Sequence, residues 1–226
     1  MAYYIDLSAI SIDTYKIKLK NSTLIPSWKI LLEEVDIYFD ELKKMGINNL
    51  EQLFREIKNK DAIEQFSKRS GIPEKYLTVL RRAINAYRPK PNKISDFPDM
   101  SAEIISKLLE QGINTTLKLY DFVQTKNSRE LLSKKAGVDL HEIEALAKLC
   151  DLSRIRWVNH TFAYVLYKSG FETVEKVANA TPKNLYDRIK TLNEEMKIYK
   201  GTIGLNDMKI CIEAAQEVPC EIDFFK

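Results

Sequence analysis

The 226-residue sequence predicts an all-α fold of tandem helical repeats with glycine-capped corners, and three observations carry that prediction. First, five of the seven glycines are followed by an apolar residue where a helical pattern stops: Met45-Gly46-Ile47, Ser70-Gly71-Ile72, Gln111-Gly112-Ile113, Ala136-Gly137-Val138 and Ser169-Gly170-Phe171. Glycine just past a helix end takes the left-handed conformation without a Cβ clash, and the next apolar residue packs back onto the last turn. Second, the corners recur in register, with Gly46 and Gly112 spaced like Gly71 and Gly137. Third, residues 36–86 laid over 102–152 without a gap share identities in that register, among them Leu42/Leu108, Asn48/Asn114, Leu53/Leu119, Ser67/Ser133 and Leu80/Leu146. Fixed-period self-similarity is the mark of a repeat architecture.

The elements follow in order. Residues 1–25 form an N-terminal segment in which Tyr15, Ile17 and Leu19 alternate like a strand while Ile12, Tyr15 and Leu19 fit a helix; a short helix is preferred. Residues 26–88 form the first unit, with Asn48 and Glu51 at capping-box spacing and Pro73 suited to a first helical turn. A basic, proline-bearing linker spans 89–95, since Pro89 and Pro91 interrupt any apolar pattern. The second unit covers 96–151, and Asp139 with Glu142 repeats the capping-box spacing. A diverged third unit covers 152–218. It shares Gly170 and a following Thr173-Val174-Glu175-Lys176-Val177, then departs through Gly201 and Gly204 to a helix over Asp207–Glu217. Residues 219–226 read as an irregular tail.

Composition sets bounds on function. Hydrophobic residues make up 45% and charged residues 30%, which is ordinary for a globular chain. A net charge of +3 does not by itself name a polyanion partner, so the argument rests on where the charge sits. Cys150, Cys211 and Cys220 are odd in number and widely spaced, which fits free thiols in a reducing compartment. Neither a signal peptide nor a membrane span is apparent, so the expected location is cytoplasmic, with no membrane partner. The two histidines, His141 and His160, have no companion at ligand spacing, and no nucleophile elbow or phosphate loop occurs. The chain therefore reads as a non-enzyme, with no catalytic residues, no metal and no cofactor.

The densest charge is Lys75, Arg81, Arg82, Arg88, Lys90 and Lys93, with no acid between Glu74 and Asp96 and with Tyr76 and Tyr87 interleaved. Such a patch tracks a phosphate backbone and stacks bases. Equally, arginines near a helix end complement its dipole, and a linker is charged for solubility.

The stretch from Arg154 to Phe171 resembles a helix-hairpin-helix motif, in which an apolar–Pro–Gly–Ile–Gly turn precedes a helix carrying a small residue and a second Gly–apolar corner. With Leu24-Ile25-Pro26-Ser27, the Asp151–Ile155 entry and the Gly170 corner, nearly the whole chain resembles a family of uncharacterised all-helical proteins, a domain of unknown function with degenerate helix-hairpin-helix repeats. The resemblance implies sequence-independent contact with nucleic-acid backbone, made by turn amides and a helix N-terminus. Thirteen and eleven residues before each corner glycine, where the motif places its turn glycines, stand Glu33 and Val35, Asp99 and Ser101, and Trp157 and Asn159. The third turn alone lacks an acid. Beside it lie Arg154, Arg156 and His160, Ala163 matches the small position, and Asn159 suits either a left-handed turn or an N-cap.

Two functions follow as expectations. One is weak, salt-dependent binding of DNA or RNA through Arg81, Arg82, Arg88, Lys90, Lys93, Arg154, Arg156, Asn159 and His160. The other is a protein–protein scaffold whose hairpins have lost the phosphate role, with Trp157, Tyr164 and Tyr167 as its interaction surface; aromatics at helical spacing also serve as core.

Overall fold

Short amphipathic segments with defined caps produce an all-helical chain, and the computed structural model describes residues 3–224. Residues 1, 2, 225 and 226 of the two terminal segments lie outside the described residues. Among those described there are thirteen α-helices, three short 3-10 helices and no strand, apart from two isolated bridges. The chain divides into two compact units, one ending at Arg88 and one beginning at Pro89.

In the first unit a 3-10 turn (Leu7–Ala9) leads into α1 (Ile12–Asn21), capped by the Ser11 side chain on the Thr14 amide. A longer 3-10 helix (Pro26–Leu32) precedes α2 (Val35–Lys44), α3 (Leu50–Glu56), α4 (Lys60–Ser70) and α5 (Glu74–Asn85). One core runs through all of them, with Leu7, Tyr15, Phe39, Leu42, Leu53, Phe66 and Leu80 almost fully buried. The first 25 residues thus supply core side chains of this unit. Tyr76 and Tyr87 belong to the same core at 1% exposure each, so neither is a stacking platform for bases. The Tyr76 hydroxyl donates to the Leu31 carbonyl at 3.1 Å, and the Tyr87 ring packs edge-on to Tyr15.

The second unit contains a 3-10 turn (Ile94–Asp96), then α6 (Ala102–Glu110), α7 (Thr116–Tyr120), α8 (Lys126–Ala136), α9 (Leu140–Leu152), α10 (His160–Lys168), α11 (Val174–Ala178), α12 (Pro182–Met196) and α13 (Leu205–Ala215). Residues 89–95, expected as a linker, are built into this unit. Asn92 is 8% exposed, its amide donates to the Thr116 hydroxyl and its side chain to the Ser153 hydroxyl, while Ile94 is buried. The irregular tail is packed as well, with Ile222 at 7% exposure.

The same order of elements occurs three times: a helix, a corner glycine, a short helix, a longer helix, a left-handed residue and a final helix. Gly46, Gly112 and Gly170 take φ of 82°, 75° and 89°. The next residue's amide then reaches back five residues: Ile47 to the Leu42 carbonyl, Ile113 to Leu108 and Phe171 to Leu166, at 2.9–3.1 Å. These bonds satisfy carbonyls that every helix end leaves over. The residue three past each glycine (Asn49, Thr115, Thr173) caps the short helix with its side chain. The first cap therefore falls on Asn49 rather than Asn48. Gln52, not Glu51, answers it by accepting from the Asn48 amide at 2.7 Å. Asp139 caps α9, accepting from the His141 amide.

The corners differ in one respect. The amide four residues past the glycine is bonded by an incoming backbone carbonyl in the first two, Leu50 to Ile10 and Thr116 to Asn92. In the third, the Val174 amide donates instead to the carboxylate of buried Asp151 at 2.8 Å. Among the described residues four non-glycine positions are also left-handed: Glu34, Asp99, Trp157 and Lys197, at φ 45°, 59°, 67° and 50°.

Candidate nucleic-acid interface

The net charge of +3 lies in residues 1–88, which hold 15 Lys+Arg against 12 Asp+Glu; residues 89–226 hold 20 of each. Within the first unit the charge is organised along α3 and α5. Arg88, just past α5, places Nη2 2.5 Å from Glu51 Oε2 at the start of α3, and its guanidinium lies 5.5 Å from the centre of the Phe54 ring. Arg81 on α5 donates Nε to the Lys58 carbonyl just past the other end of α3, at 2.9 Å. The two helices therefore run antiparallel. Arg55 shares Glu51, with Nε 3.1 Å from Oε1, and its side chain is 75% exposed. Arg55 and Arg88 thus meet at Glu51, Arg81 is tied to the backbone of exposed Lys58 just past α3, and Asp6 also feels Arg88. Hydrogen bonds from Ser8, more than Arg88, hold the Asp6 carboxyl below its usual value.

Of the other expected cations, Arg82, Lys90 and Lys93 are exposed, the first on α5 and the last two in the second unit. Arg55 and Lys58 were not among the residues expected to bind. The Glu51–Arg55 spacing of four along a helix is legible in the sequence, whereas Arg88 meets Glu51 across 37 residues and Arg81 meets Lys58 across 23.

The third turn is arranged differently from the expectation. Arg154 is not a surface cation: its side chain is 1% exposed, 3.1 Å from Asp151 and 3.5 Å from Glu221, with the Tyr120 ring beneath it. A buried guanidinium is stable there because carboxylates face it. Arg156 is 10% exposed and pairs with Glu217 at 2.5 Å, lying against the Trp157 ring. Asn159 is extended, at φ −82°, and caps α10 by accepting from the Phe162 amide at 2.9 Å. His160 is half-buried at the first position of α10, whose first turn contains no acid. Among the aromatics, Trp157 is 46% exposed and Tyr167 half-buried, but Tyr164 is 4% exposed and its hydroxyl donates to Asp99. Tyr164 is a packing residue and no part of an open surface.

Burial sets the remaining chemistry. Desolvation raises the Asp151 carboxyl above its ordinary value against the opposing pull of the Val174 amide and Arg154. It lifts the Cys150 thiol well above normal and the Cys211 thiol to about 12, which leaves both protonated and unreactive at neutral pH. Cys220 is exposed. Among the described residues no group of three or more His, Cys, Asp or Glu is placed to hold a metal ion, and no helix is long and apolar enough to cross a membrane.

These features define an all-helical protein whose recognisable chemistry is surface charge and buried ion pairing. A family described as a domain of unknown function, DUF4332, matches residues 98–218, over half of the chain, and the chain belongs to that family. No curated protein and no solved structure matches the sequence.

Proposed function

We propose that this chain is a non-enzymatic protein that binds the phosphate backbone of nucleic acid without reading its sequence, through the Arg55–Lys58–Arg81–Arg88 strip of the first unit. The observation that carries the reading is the gathering of Arg55, Arg81 and Arg88 on and beside α3 and α5, where Arg55 and Arg88 share the single carboxylate of Glu51 and Arg81 bonds the Lys58 carbonyl. Arginine at the surface engages phosphate oxygens through its planar fork, and lysine adds charge without fixed direction. Exposed Arg82 lies beside Arg81 in sequence. The scaffold is read as degenerate hairpin repeats. Its support is that Asp99 and Trp157, thirteen residues before their corner glycines, hold left-handed φ, the conformation that glycine supplies in that motif; Glu34 does so one position later. Acids at two of these turns keep phosphate away from the turn amides, which moves the binding role to the strip.

Affinity belongs to the non-specific range, with Kd on the order of 10⁻⁴–10⁻⁶ M at physiological salt. Titration into labelled single- and double-stranded DNA and RNA at low and moderate salt tests it. Each engaged cation contributes about −0.9 to the salt slope on duplex DNA, so an Arg55→Gln/Arg81→Gln/Arg88→Gln variant flattens that slope by about 2 to 3. Absence of binding at low salt excludes the reading.

A second reading, the protein scaffold, is favoured by solvent-facing apolar residues of the second unit, Leu131 at 67%, Leu109 at 57% and Trp157 at 46% exposure. It takes over if the titrations show no nucleic-acid binding and a Leu109→Lys/Leu131→Lys variant loses a protein partner that the wild type retains.

A further inference from the structure

We propose that the acidic segment from Glu217 to Phe224 is an autoinhibitory strap, covering a second polyanion-binding face centred on Arg156, with Arg154 behind it. This rests on the nucleic-acid reading and adds regulation to it. The strap follows α13 with no helical structure of its own. Glu217 takes Arg156, and Glu221 takes both Arg154 and the Tyr120 hydroxyl, the latter at 2.5 Å. Beyond them the Asp223 amide donates to the Gln124 carbonyl at 2.8 Å. Arg129 on α8 clamps the end, donating to the Asp223 carbonyl at 2.8 Å with its guanidinium over the Phe224 ring.

Three features point to masking rather than closure of a core alone. The partners of the strap carboxylates are the two arginines that flank the acid-free turn before α10. Carboxylate and phosphate offer guanidinium the same pair of acceptor oxygens, so an acidic segment is a direct competitor for a phosphate backbone. Residues 89–226 are neutral with the strap in place, and Glu217, Glu221 and Asp223 supply three of the charges that make them so. Its apolar anchoring is small: within the segment Val218 and Ile222 are the buried apolar residues, while Cys220 is exposed. Segments held by few buried contacts open at lower free energy than the core they lie on. Release frees Arg156 beside the half-exposed Trp157 ring, a combination of cation and stacking surface suited to single strands, while Arg154 keeps Asp151 and loses the farther of its two carboxylates.

The test uses the full chain and fluorescein-labelled single- and double-stranded DNA. Glu217→Gln/Glu221→Gln keeps the size of both side chains and removes their charge. It is expected to tighten binding ~10-fold at low salt and to steepen the salt slope by about 1 to 2. Adding Arg156→Gln cancels the gain. In the wild type, a fluorophore on Cys220, the exposed cysteine of the three, gains mobility when DNA is added. A doubly substituted chain that binds DNA no better than wild type, together with a Cys220 label that DNA leaves unmoved, overturns the strap and makes it a structural closure. If the double variant fails to fold, Glu217→Gln alone and the wild-type label decide by the same criteria. Loss of binding in the Arg55/Arg81/Arg88 variant with no gain from the strap variant sinks the strap and leaves the strip standing; no binding by any form sinks both.

Discussion

Asp151 shows how one side chain substitutes for a backbone pairing. In the first two corners the amide four residues past the glycine meets an incoming carbonyl, and in the third it meets the Asp151 carboxylate, which also holds Arg154. Asp151→Ala leaves an amide without its acceptor and a guanidinium buried without its nearest counter-charge, at a cost of about 3–5 kcal/mol. Urea unfolding measures this, and Asp151→Asn, which keeps an acceptor for the Val174 amide, recovers part of the loss. The corner glycines make a second residue-scale prediction. At Gly112 a Cβ meets no atom within 4 Å, so the penalty for Gly112→Ala comes from the backbone at φ +75°. It amounts to about 1 kcal/mol, the left-handed cost less the gain from a stiffer unfolded chain. Gly112→Asn costs less, because asparagine tolerates that region. All five corner glycines were legible in the sequence because a left-handed residue at a helix end is a local requirement. The left-handed φ of Trp157 was not, since an aromatic residue type does not announce it.

Between elements, pairing across helices decides what local patterns leave open. Helix α1 is a case where strand and helix patterns competed over Tyr15, Ile17 and Leu19. The helix prevails because Ser11 caps it and its Ile12, Tyr15 and Leu19 stripe enters the core. Its polar flank runs antiparallel to α2 through Lys43–Asp13, Lys16–Asp40 and Lys20–Asp36. Hydrogen bonding from Lys20 holds the Asp36 carboxyl below its ordinary value of 3.8, with its charge and Lys16 adding to it. A carboxyl depressed in the folded state stabilises fully above its unfolded pKa, and that contribution disappears as pH falls through the lower folded value. The difference in urea midpoint between wild type and Asp36→Asn is therefore present at pH 5 and shrinks on acidification below about pH 4; a difference unchanged down to pH 2.5 contradicts this linkage. Residues 89–95 teach the converse. Two prolines read as a linker, yet Asn92 bonds to Thr116 and Ser153, 24 and 61 residues away. No local pattern contains partners at that distance.

At the scale of the molecule, each unit has its own interior, and the first is supplied wholly by residues before Pro89. A fragment ending at Arg88 is expected to melt cooperatively by itself in a circular dichroism scan, since it keeps every residue of that core and the Arg88–Glu51 pair. A non-cooperative melt of this fragment would contradict the assignment of Arg88 as its last structural residue. The sequence by itself determined the helical class, the glycine corners and their spacing, because caps, turns and periodic apolar stripes are set by neighbours within a few residues along the chain. What the tertiary structure decided was the use of charge. Arg154 and Arg156 look like surface cations on paper, and only folding brings Glu217 and Glu221 to them from more than 60 residues away. Arg81 and Arg88 gain Lys58 and Glu51 in the same manner. A charge is a binding group or an internal partner according to what faces it, and what faces it is fixed by long-range packing rather than by local sequence.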